Sequence, residues 1–195
     1  QKTKAIITVS LYGLPPNMDR IMEIAKSHSL KVIEDNAQCV MGKYNGVLAG
    51  TFGDISIFSL QRSKHLTTGD GGVAITNNEK IAEKFRKFCD LGYRTLTAKP
   101  ISNENFKETL QQPDFKRHEF VGYNFRMPEV CAAMGLAQLD KLESLVEKRI
   151  AIAQMYARSV RGCDWLIPQV TPKEALNTYW TFAMKLDINL KSISW

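Results

Sequence analysis

The chain has 195 residues, a formal net charge of +6, and 44% hydrophobic and 24% charged residues. These values are typical of a globular protein with a sizeable core, and they exclude disordered and collagen-like chains. The apolar runs are too short to cross a bilayer and no signal-peptide pattern is present, so we expect no membrane partner. The basic residues alternate with acidic ones instead of forming a stripe, so we expect no nucleic-acid partner.

Two strands around one helix are predicted near the start of the chain. Residues 5–10 are apolar and β-branched, apolar side chains recur at helical spacing from Met18 to Ala25, and residues 30–35 form a second apolar run. Such a β-α-β unit predicts parallel strands joined by a right-handed crossover. Functional groups in these sheets gather at the carboxyl ends of the strands, which makes Asp35 a candidate.

The middle of the chain continues this alternation of strands and helices. The predicted elements are a hairpin at Asn45-Gly46, strands at 55–60 and 73–76, and a helix that begins after Asn77 or Asn78 and ends before Gly92. Residues 94–119 are polar and interrupted by prolines, which predicts a long loop.

The last third of the chain is predicted to be mainly helical. Pro128 stands at the first turn of a segment so rich in Ala, Met and Leu that we predict a helix buried nearly all round. Residues 142–160 predict a long amphipathic helix, and residues 180–186 predict a strand.

The four cysteines are widely spaced and include no C-x-x-C pair. This pattern argues against a zinc site and is typical of a reduced compartment. We therefore predict a cytoplasmic protein without a metal.

Lys64 lies in a polar turn between the strands predicted at 55–60 and 73–76. Partial burial between strands favours the neutral, nucleophilic form of a lysine amine, which can form a Schiff base with an aldehyde cofactor. Pyridoxal phosphate requires such a lysine and an acid that keeps its ring nitrogen protonated, for which Asp35 is the candidate. Taken singly, Lys64 could be a solvated turn residue and Asp35 a helix cap.

Two blocks of sequence carry a more specific signal. The first consists of Glu34-Asp35-Asn36-Ala37-Gln38, Gly50-Thr51-Phe52-Gly53-Asp54, and the run from Phe58-Ser59 through Lys64 to Gly69-Asp70-Gly71-Gly72. The second consists of Gly122-Tyr123-Asn124-Phe125-Arg126-Met127-Pro128-Glu129 and Ala132-Ala133-Met134-Gly135-Leu136-Ala137-Gln138-Leu139. In this order they resemble the DegT/DnrJ/EryC1/StrS family of pyridoxal-phosphate-dependent aminotransferases, which act in nucleotide-sugar biosynthesis.

The resemblance implies roles for five residues. Lys64 matches the Schiff-base lysine, which also acts as general base, and Asp35 matches the aspartate that pairs with the pyridinium nitrogen. Gln38 matches a residue on the ring-oxygen side of the cofactor. Ser59 matches a phosphate ligand, with a serine bonded to its own backbone as the alternative. Asn124 matches an asparagine that reaches the phosphate of the neighbouring subunit's cofactor.

The resemblance also implies the architecture. The expected fold is fold type I of the aspartate aminotransferase superfamily, an α/β three-layer sandwich with a mostly parallel sheet. Residues 1–142 would form part of the large cofactor-binding domain, and residues 143–195 the linking helix and the start of a smaller C-terminal α/β domain. A homodimer with shared active sites is implied as well.

The implied reaction moves an amino group from an amino acid, with glutamate as the expected donor, to a keto group of a nucleotide-linked deoxysugar. Pyridoxamine phosphate would be the intermediate form of the cofactor. The alternatives are a cyclitol ketone as acceptor, or a non-catalytic regulatory or binding protein that keeps the fold. Family members are longer at both ends, so we expect an internal fragment that need not be active alone.

Overall fold

The computed structural model describes residues 2–99 and 111–187. The chain forms two compact units, Gln1–Ala74 with Glu129–Trp195 and Ile75–Pro128. The domain boundary predicted between residues 142 and 143 stays a prediction.

The secondary structure alternates between strands and helices. The elements are, in chain order, β1 (Ala5–Val9), a 3-10 turn (Leu11–Gly13), α1 (Met18–Ser27), β2 (Lys31–Asp35), β3 (Lys43–Tyr44), β4 (Val47–Leu48), β5 (Ile55–Ser59), β6 (Gly72–Ile75), α2 (Glu79–Cys89), α3 (Glu129–Leu139), α4 (Leu142–Ser159), β7 (Leu166–Pro168), β8 (Ala175–Leu176) and β9 (Met184–Leu186).

The main sheet has the order β1-β2-β5-β6. β1 pairs in parallel with β2, and β2 pairs in parallel with β5. In this register Val9 and Ile57 are the neighbours of Asp35 on either side. The prediction of an α/β fold with a mostly parallel sheet is therefore confirmed.

The two faces of this sheet differ in what covers them. On one face α1 packs against the strands, and its Met18 and Ala25 form a buried core with Val32 of β2. Side chains alternate along a strand, so the residue that follows Val32 in β2, and every second residue from it, lies on the opposite face of the sheet. There Ile7 is 66% exposed and Ile57 is 37% exposed. We call this second face, which also carries Asp35 and Ser59, the open face.

A buried carboxylate fixes the loop between the second hairpin strand and β5. Glu34 is 2% exposed, and its side-chain oxygens accept hydrogen bonds from the backbone N–H groups of Gly50, Phe52 and Gly53 at 2.6–2.8 Å. Next to it, the buried Asn36 side chain accepts from the Ser10 hydroxyl at 2.7 Å. These hydrogen bonds fix the backbone at the carboxyl end of β2.

The second unit is organised by α2. The Asn78 side chain caps this helix by accepting hydrogen bonds from the N–H groups of its first turn. The buried Lys87 amine donates to Glu83 and Glu119, each at 2.6 Å. These hydrogen bonds raise the pKa of Lys87, and the bond to Lys87 lowers the pKa of Glu119.

Two elements differ from the sequence-based prediction. The third helix begins after Pro128 as expected, but only a narrow stripe of it is covered, and Val130 and Leu136 are 71% and 66% exposed. A single neighbouring loop can cover only one side of a helix. The predicted strand at 180–186 is confirmed only at Met184–Leu186, because the residues before it form a turn. Much of the long loop predicted at 94–119 lies outside the described residues.

No helix in residues 2–99 and 111–187 is both long and apolar enough to cross a membrane. All four cysteines are free thiols, and burial raises the pKa of Cys39 to about 11. Within the same ranges, no cluster of His, Cys, Asp and Glu side chains is arranged to hold a metal ion.

Candidate active site

Asp35 ends β2 at the carboxyl edge of the open face. Its Oδ1 accepts a hydrogen bond from the Ala37 N–H at 3.0 Å, which forms a local turn. A turn, and no helix, follows Asp35, so the helix-cap alternative is wrong. Within the described part of the chain, no hydrogen bond engages the second carboxylate oxygen. Asp35 therefore presents a half-buried carboxylate with one oxygen available to a ligand.

Ser59 ends β5, the strand next to β2. Because Ile57 is the register partner of Asp35, the alternation of side chains puts Ser59 on the same open face. Its hydroxyl oxygen accepts from the Gln61 N–H at 3.3 Å, a local bond to the backbone two residues on, and the phosphate-ligand role of Ser59 stays a prediction. A hydroxyl that accepts one bond can still donate its proton to a phosphate oxygen.

The loop that carries Lys64 joins β5 to β6 and is closed by backbone hydrogen bonds. Leu60 N–H donates to the Gly71 carbonyl at 2.9 Å, and Arg62 N–H donates to the Gly69 carbonyl at 3.0 Å. Gly69 has a φ of +85°, a value that favours glycine. The loop is therefore a closed, locally determined structure with Lys64 near its tip.

Lys64 is half-buried, as the sequence predicted, but what its amine contacts was not predicted. The Nζ atom lies 4.5 Å from the ring centroid of Trp180. The same indole donates from Nε1 to the carbonyl of Ser63, the residue before Lys64, at 3.0 Å. A cation is attracted to the face of an indole ring, so this contact holds the Lys64 side chain against Trp180.

Gln38 is joined to the same group of residues through Tyr12. Its Oε1 accepts from the Tyr12 backbone N–H at 2.8 Å. The Tyr12 ring stacks on Trp180 with a centroid separation of 6.4 Å and an interplanar angle of 11°. Trp180 and Tyr12 thus connect Lys64 with Gln38, the last link being the backbone N–H of Tyr12, and neither aromatic residue was predicted from the sequence as part of the site.

His65 anchors the Lys64 loop from the buried side. It is 4% exposed, and its Nε2 lies 2.9 Å from the Thr178 carbonyl, which can only accept, so Nε2 carries the proton. Thr178 N–H in turn donates to the Gly13 carbonyl at 2.9 Å. Burial lowers the pKa of His65 to about 4, so the ring is neutral near pH 7.

Asn124, the fifth predicted site residue, belongs to the second unit. It is exposed, forms an antiparallel bridge with Asp90, and accepts at Oδ1 from Arg126 Nε at 3.0 Å. Arg126 also forms an ion pair with Asp90 at 3.3 Å. These contacts fix the conformation of Asn124 within its own unit.

Several residues that support the site were not predicted from the sequence. Trp180 was assigned to a strand and Tyr12 to no element. In α3, Gln138 accepts from the Thr67 N–H of the Lys64 loop at 3.0 Å, and Gly135 is close to the Thr68 methyl group. The small and polar stripe of this otherwise apolar helix was the available signal for that contact.

The donor set of the first unit fits pyridoxal phosphate. The open face offers a carboxylate with an unbonded oxygen at Asp35 and a hydroxyl with an available proton at Ser59, on adjacent strands. The next loop offers the Lys64 amine. An acid for the ring nitrogen, a donor for the phosphate and an amine for the aldehyde are the three groups that this cofactor requires.

Comparison with known proteins gives an independent result. Residues 1–192 match the model of the DegT/DnrJ/EryC1/StrS aminotransferase family. The chain is 36% identical to the GDP-perosamine synthase of Escherichia coli O157:H7 over 179 residues, which cover 92% of this chain and 44% of that protein. The chain spans about half the length of the curated relatives it matches.

Solved structures agree in fold. An aminotransferase from Psychrobacter cryohalolentis matches with a TM-score of 0.80 and 29% identity, over 99% of this chain and 50% of that one. The E. coli GDP-4-keto-6-deoxy-D-mannose-3-dehydratase with bound hydrated pyridoxal phosphate matches with a TM-score of 0.81 and 28% identity, over 96% and 48%. With fold, donor set and sequence in agreement, the chain belongs to the DegT/DnrJ/EryC1/StrS aminotransferase family, a pyridoxal-phosphate-dependent family of fold type I.

Proposed function

We propose that the protein containing this chain is a pyridoxal-phosphate-dependent aminotransferase. It moves an amino group from an amino acid, with glutamate as the first candidate, to a keto group of a nucleotide-linked deoxysugar. The observation that carries the proposal is the placement of Asp35 and Ser59 on the same open face of adjacent strands, with Lys64 on the loop that follows. When bound, the cofactor withdraws electrons from the donor's Cα and carries the amino group between the substrates.

The five predicted residues divide this work. Asp35 would hold a proton on the ring nitrogen through its unbonded oxygen, and Ser59 would donate its hydroxyl proton to the phosphate. Gln38 would lie on the ring-oxygen side. Lys64 would bind the aldehyde carbon and, once displaced by the donor, would take the proton from the donor's Cα and return it to the cofactor. Asn124 serves the phosphate of the neighbouring subunit's cofactor.

The nucleotide-sugar acceptor is supported by two observations. The relative from E. coli O157:H7 is named for a GDP-linked amino sugar. In addition, a pocket of about 430 Å³ borders the Lys64 loop and is lined by Lys148, Arg149 and the aromatic rings of Tyr156 and Trp180. Cations and aromatic faces are the side chains that bind a diphosphate and its attached rings. A cyclitol ketone is the nearest alternative acceptor. It carries no diphosphate, so Lys148 and Arg149 would contribute less to its binding.

A homodimer is supported by the exposed apolar surface of α3. Val130, Leu136 and Leu139 are 71%, 66% and 50% exposed. Exposed apolar clusters of this kind mark association surfaces. A subunit interface here agrees with the proposed role of Asn124, which requires a second subunit.

The first test is the visible absorbance of the purified protein after addition of pyridoxal phosphate. The wild type should develop a band in the visible range, because the lysine extends the conjugation of the cofactor. Lys64→Ala should bind the cofactor without this band and show no turnover, whereas Lys26→Ala, at an exposed position of α1, should behave as wild type. A visible band and turnover in Lys64→Ala would overturn the proposal. Cofactor binding without turnover by the wild type on any amino donor would favour the regulatory alternative.

A further inference from the structure

Trp180 occupies a position that no motif of the chain marks. Its ring faces the Lys64 amine at 4.5 Å, and its Nε1 donates to the Ser63 carbonyl at 3.0 Å. One side chain therefore contacts both the amine of Lys64 and the peptide group before it. Two such contacts fix the direction of the lysine side chain as well as the position of its backbone.

Neighbouring residues hold the backbone that carries Trp180. Arg149 Nη1 donates to the Trp180 carbonyl at 3.3 Å. Two residues earlier, Thr178 is completely buried, accepts from His65 and is bonded to the Gly13 carbonyl. An added Cβ at Gly13 would lie 2.5 Å from the Tyr179 backbone nitrogen, so only glycine allows this close approach. The turn that carries Trp180 is thus fixed by Arg149 at Trp180 and by His65 and Gly13 at Thr178.

A second partner of the indole is Tyr12, which has a left-handed φ of +58°. The Tyr12 ring stacks on Trp180, and the Tyr12 N–H donates to Gln38. A displacement of the indole would therefore change the surroundings of Lys64 and of Gln38 together. A residue that only filled a cavity would not link the positions of the Lys64 and Gln38 side chains.

We propose that Trp180 is a positioning residue that holds the Lys64 amine against its indole face and so keeps the amine near the site during proton transfer. The inference rests on the proposed function. Once displaced by an amino donor, the Lys64 amine would take the Cα proton, and the ammonium so formed would lie on the indole face. It would then return the same proton to the cofactor, so no proton would be gained or lost. Attraction between a cation and an indole face would keep the ammonium near the site.

The test measures Lys64 without the cofactor and then with it. The first readout is the rate of reductive methylation of the Lys64 amine, followed by peptide mass spectrometry in wild type, Trp180→Leu, Trp180→Phe and the control Trp165→Leu. Methylation requires an uncovered neutral amine. Loss of the indole should therefore speed it about two- to thirty-fold in Trp180→Leu, which corresponds to about 0.5–2 kcal/mol. Trp180→Phe should fall between Trp180→Leu and wild type, and Trp165→Leu should match wild type.

The second readout is catalysis and cofactor attachment. Trp180→Leu should lower kcat with little change in the KM of the acceptor, Trp180→Phe should restore part of kcat, and borohydride should still attach the cofactor at Lys64. Equal methylation rates in wild type and Trp180→Leu would overturn this inference while leaving the proposed function intact. A fall in kcat that Trp180→Phe does not relieve would also overturn it. Failure of wild type to attach the cofactor at Lys64 would instead overturn the proposed function.

Discussion

Two regions of the first unit differ in how far the chain itself supplies contacts for their side chains. At the carboxyl edge of the sheet, polar side chains such as Glu34 and Asn36 are buried, and the chain itself supplies their hydrogen-bond partners. On α3, apolar side chains such as Leu136 are exposed, and only a stripe around Gly135 and Gln138 is covered. The polar side chains at the sheet edge are therefore paired within the chain, whereas the apolar side chains of α3 are left uncovered by the described residues.

The largest effect is expected at the edge itself, from Asp35→Asn. An amide cannot hold the proton on the ring nitrogen, and this proton matters more in the transition state than for cofactor binding. Turnover should fall about a hundred- to a thousand-fold with the cofactor retained. Steady-state kinetics and a cofactor titration measure the two quantities, with the exposed Asp164→Asn as control. Weakened cofactor affinity with unchanged turnover would reduce Asp35 to a merely structural contact.

Glu34→Gln tests whether the buried polar network holds the edge. The amide group would turn one hydrogen-bond acceptor into a donor that faces the Gly50 N–H. The free energy of unfolding should fall by about 2–4 kcal/mol. Denaturant titration gives the value. The control Glu23→Gln removes an exposed ion pair with Arg20 and should leave the denaturation midpoint close to that of wild type. An equal loss of unfolding free energy in Glu34→Gln and Glu23→Gln would show that the buried network does not stabilise the sheet edge.

A pH dependence should come from His65. Its pKa is about 4 in the folded protein and about 6.5 when unfolded, so the unfolded chain binds more protons between these values. Stability should therefore fall as the pH drops from about 6.5 to about 4, by up to about 3 kcal/mol. His65→Gln should remove this component, and the exposed His28→Gln should keep it. The same slope in wild type and His65→Gln would place the titrating group elsewhere.

The exposed apolar surface of α3 is tested by Leu136→Asp. If a second subunit covers this helix, a charge there should raise the dimer dissociation constant about ten- to a hundred-fold. Analytical ultracentrifugation at micromolar concentration measures it, with Val170→Asp as a control at an exposed apolar position of another segment. A wild-type protein that sediments as a monomer, or a dimer unaffected by Leu136→Asp, would contradict the proposed interface.

Sequence reasoning succeeded where the determinants are local. The strands around Asp35 and Ser59, the cap at Asn78 and the hairpin at Asn45-Gly46 follow from short-range patterns, and the structure confirms them. The family blocks supplied the site residues, and the sheet register explains why Asp35 and Ser59 are neighbours.

What could not be predicted depends on distant contacts. Trp180 follows Lys64 by more than a hundred positions, and no local pattern distinguishes it from a strand residue. The composition of α3 indicated burial, but burial requires a neighbour, and helix composition does not specify whether that neighbour is part of the same chain. The buried role of Glu34 was hidden for the same reason, because its partners are backbone groups.

The most direct test of the central claim is to identify the lysine that carries the cofactor. The protein containing this chain is incubated with pyridoxal phosphate, reduced with borohydride, digested and analysed by peptide mass spectrometry. The account predicts the added pyridoxyl phosphate mass on Lys64, and its absence from the other lysines of the chain and from the Lys64→Ala protein. Attachment at a different lysine, or at none, would contradict the assignment of this loop and this sheet edge as the cofactor site.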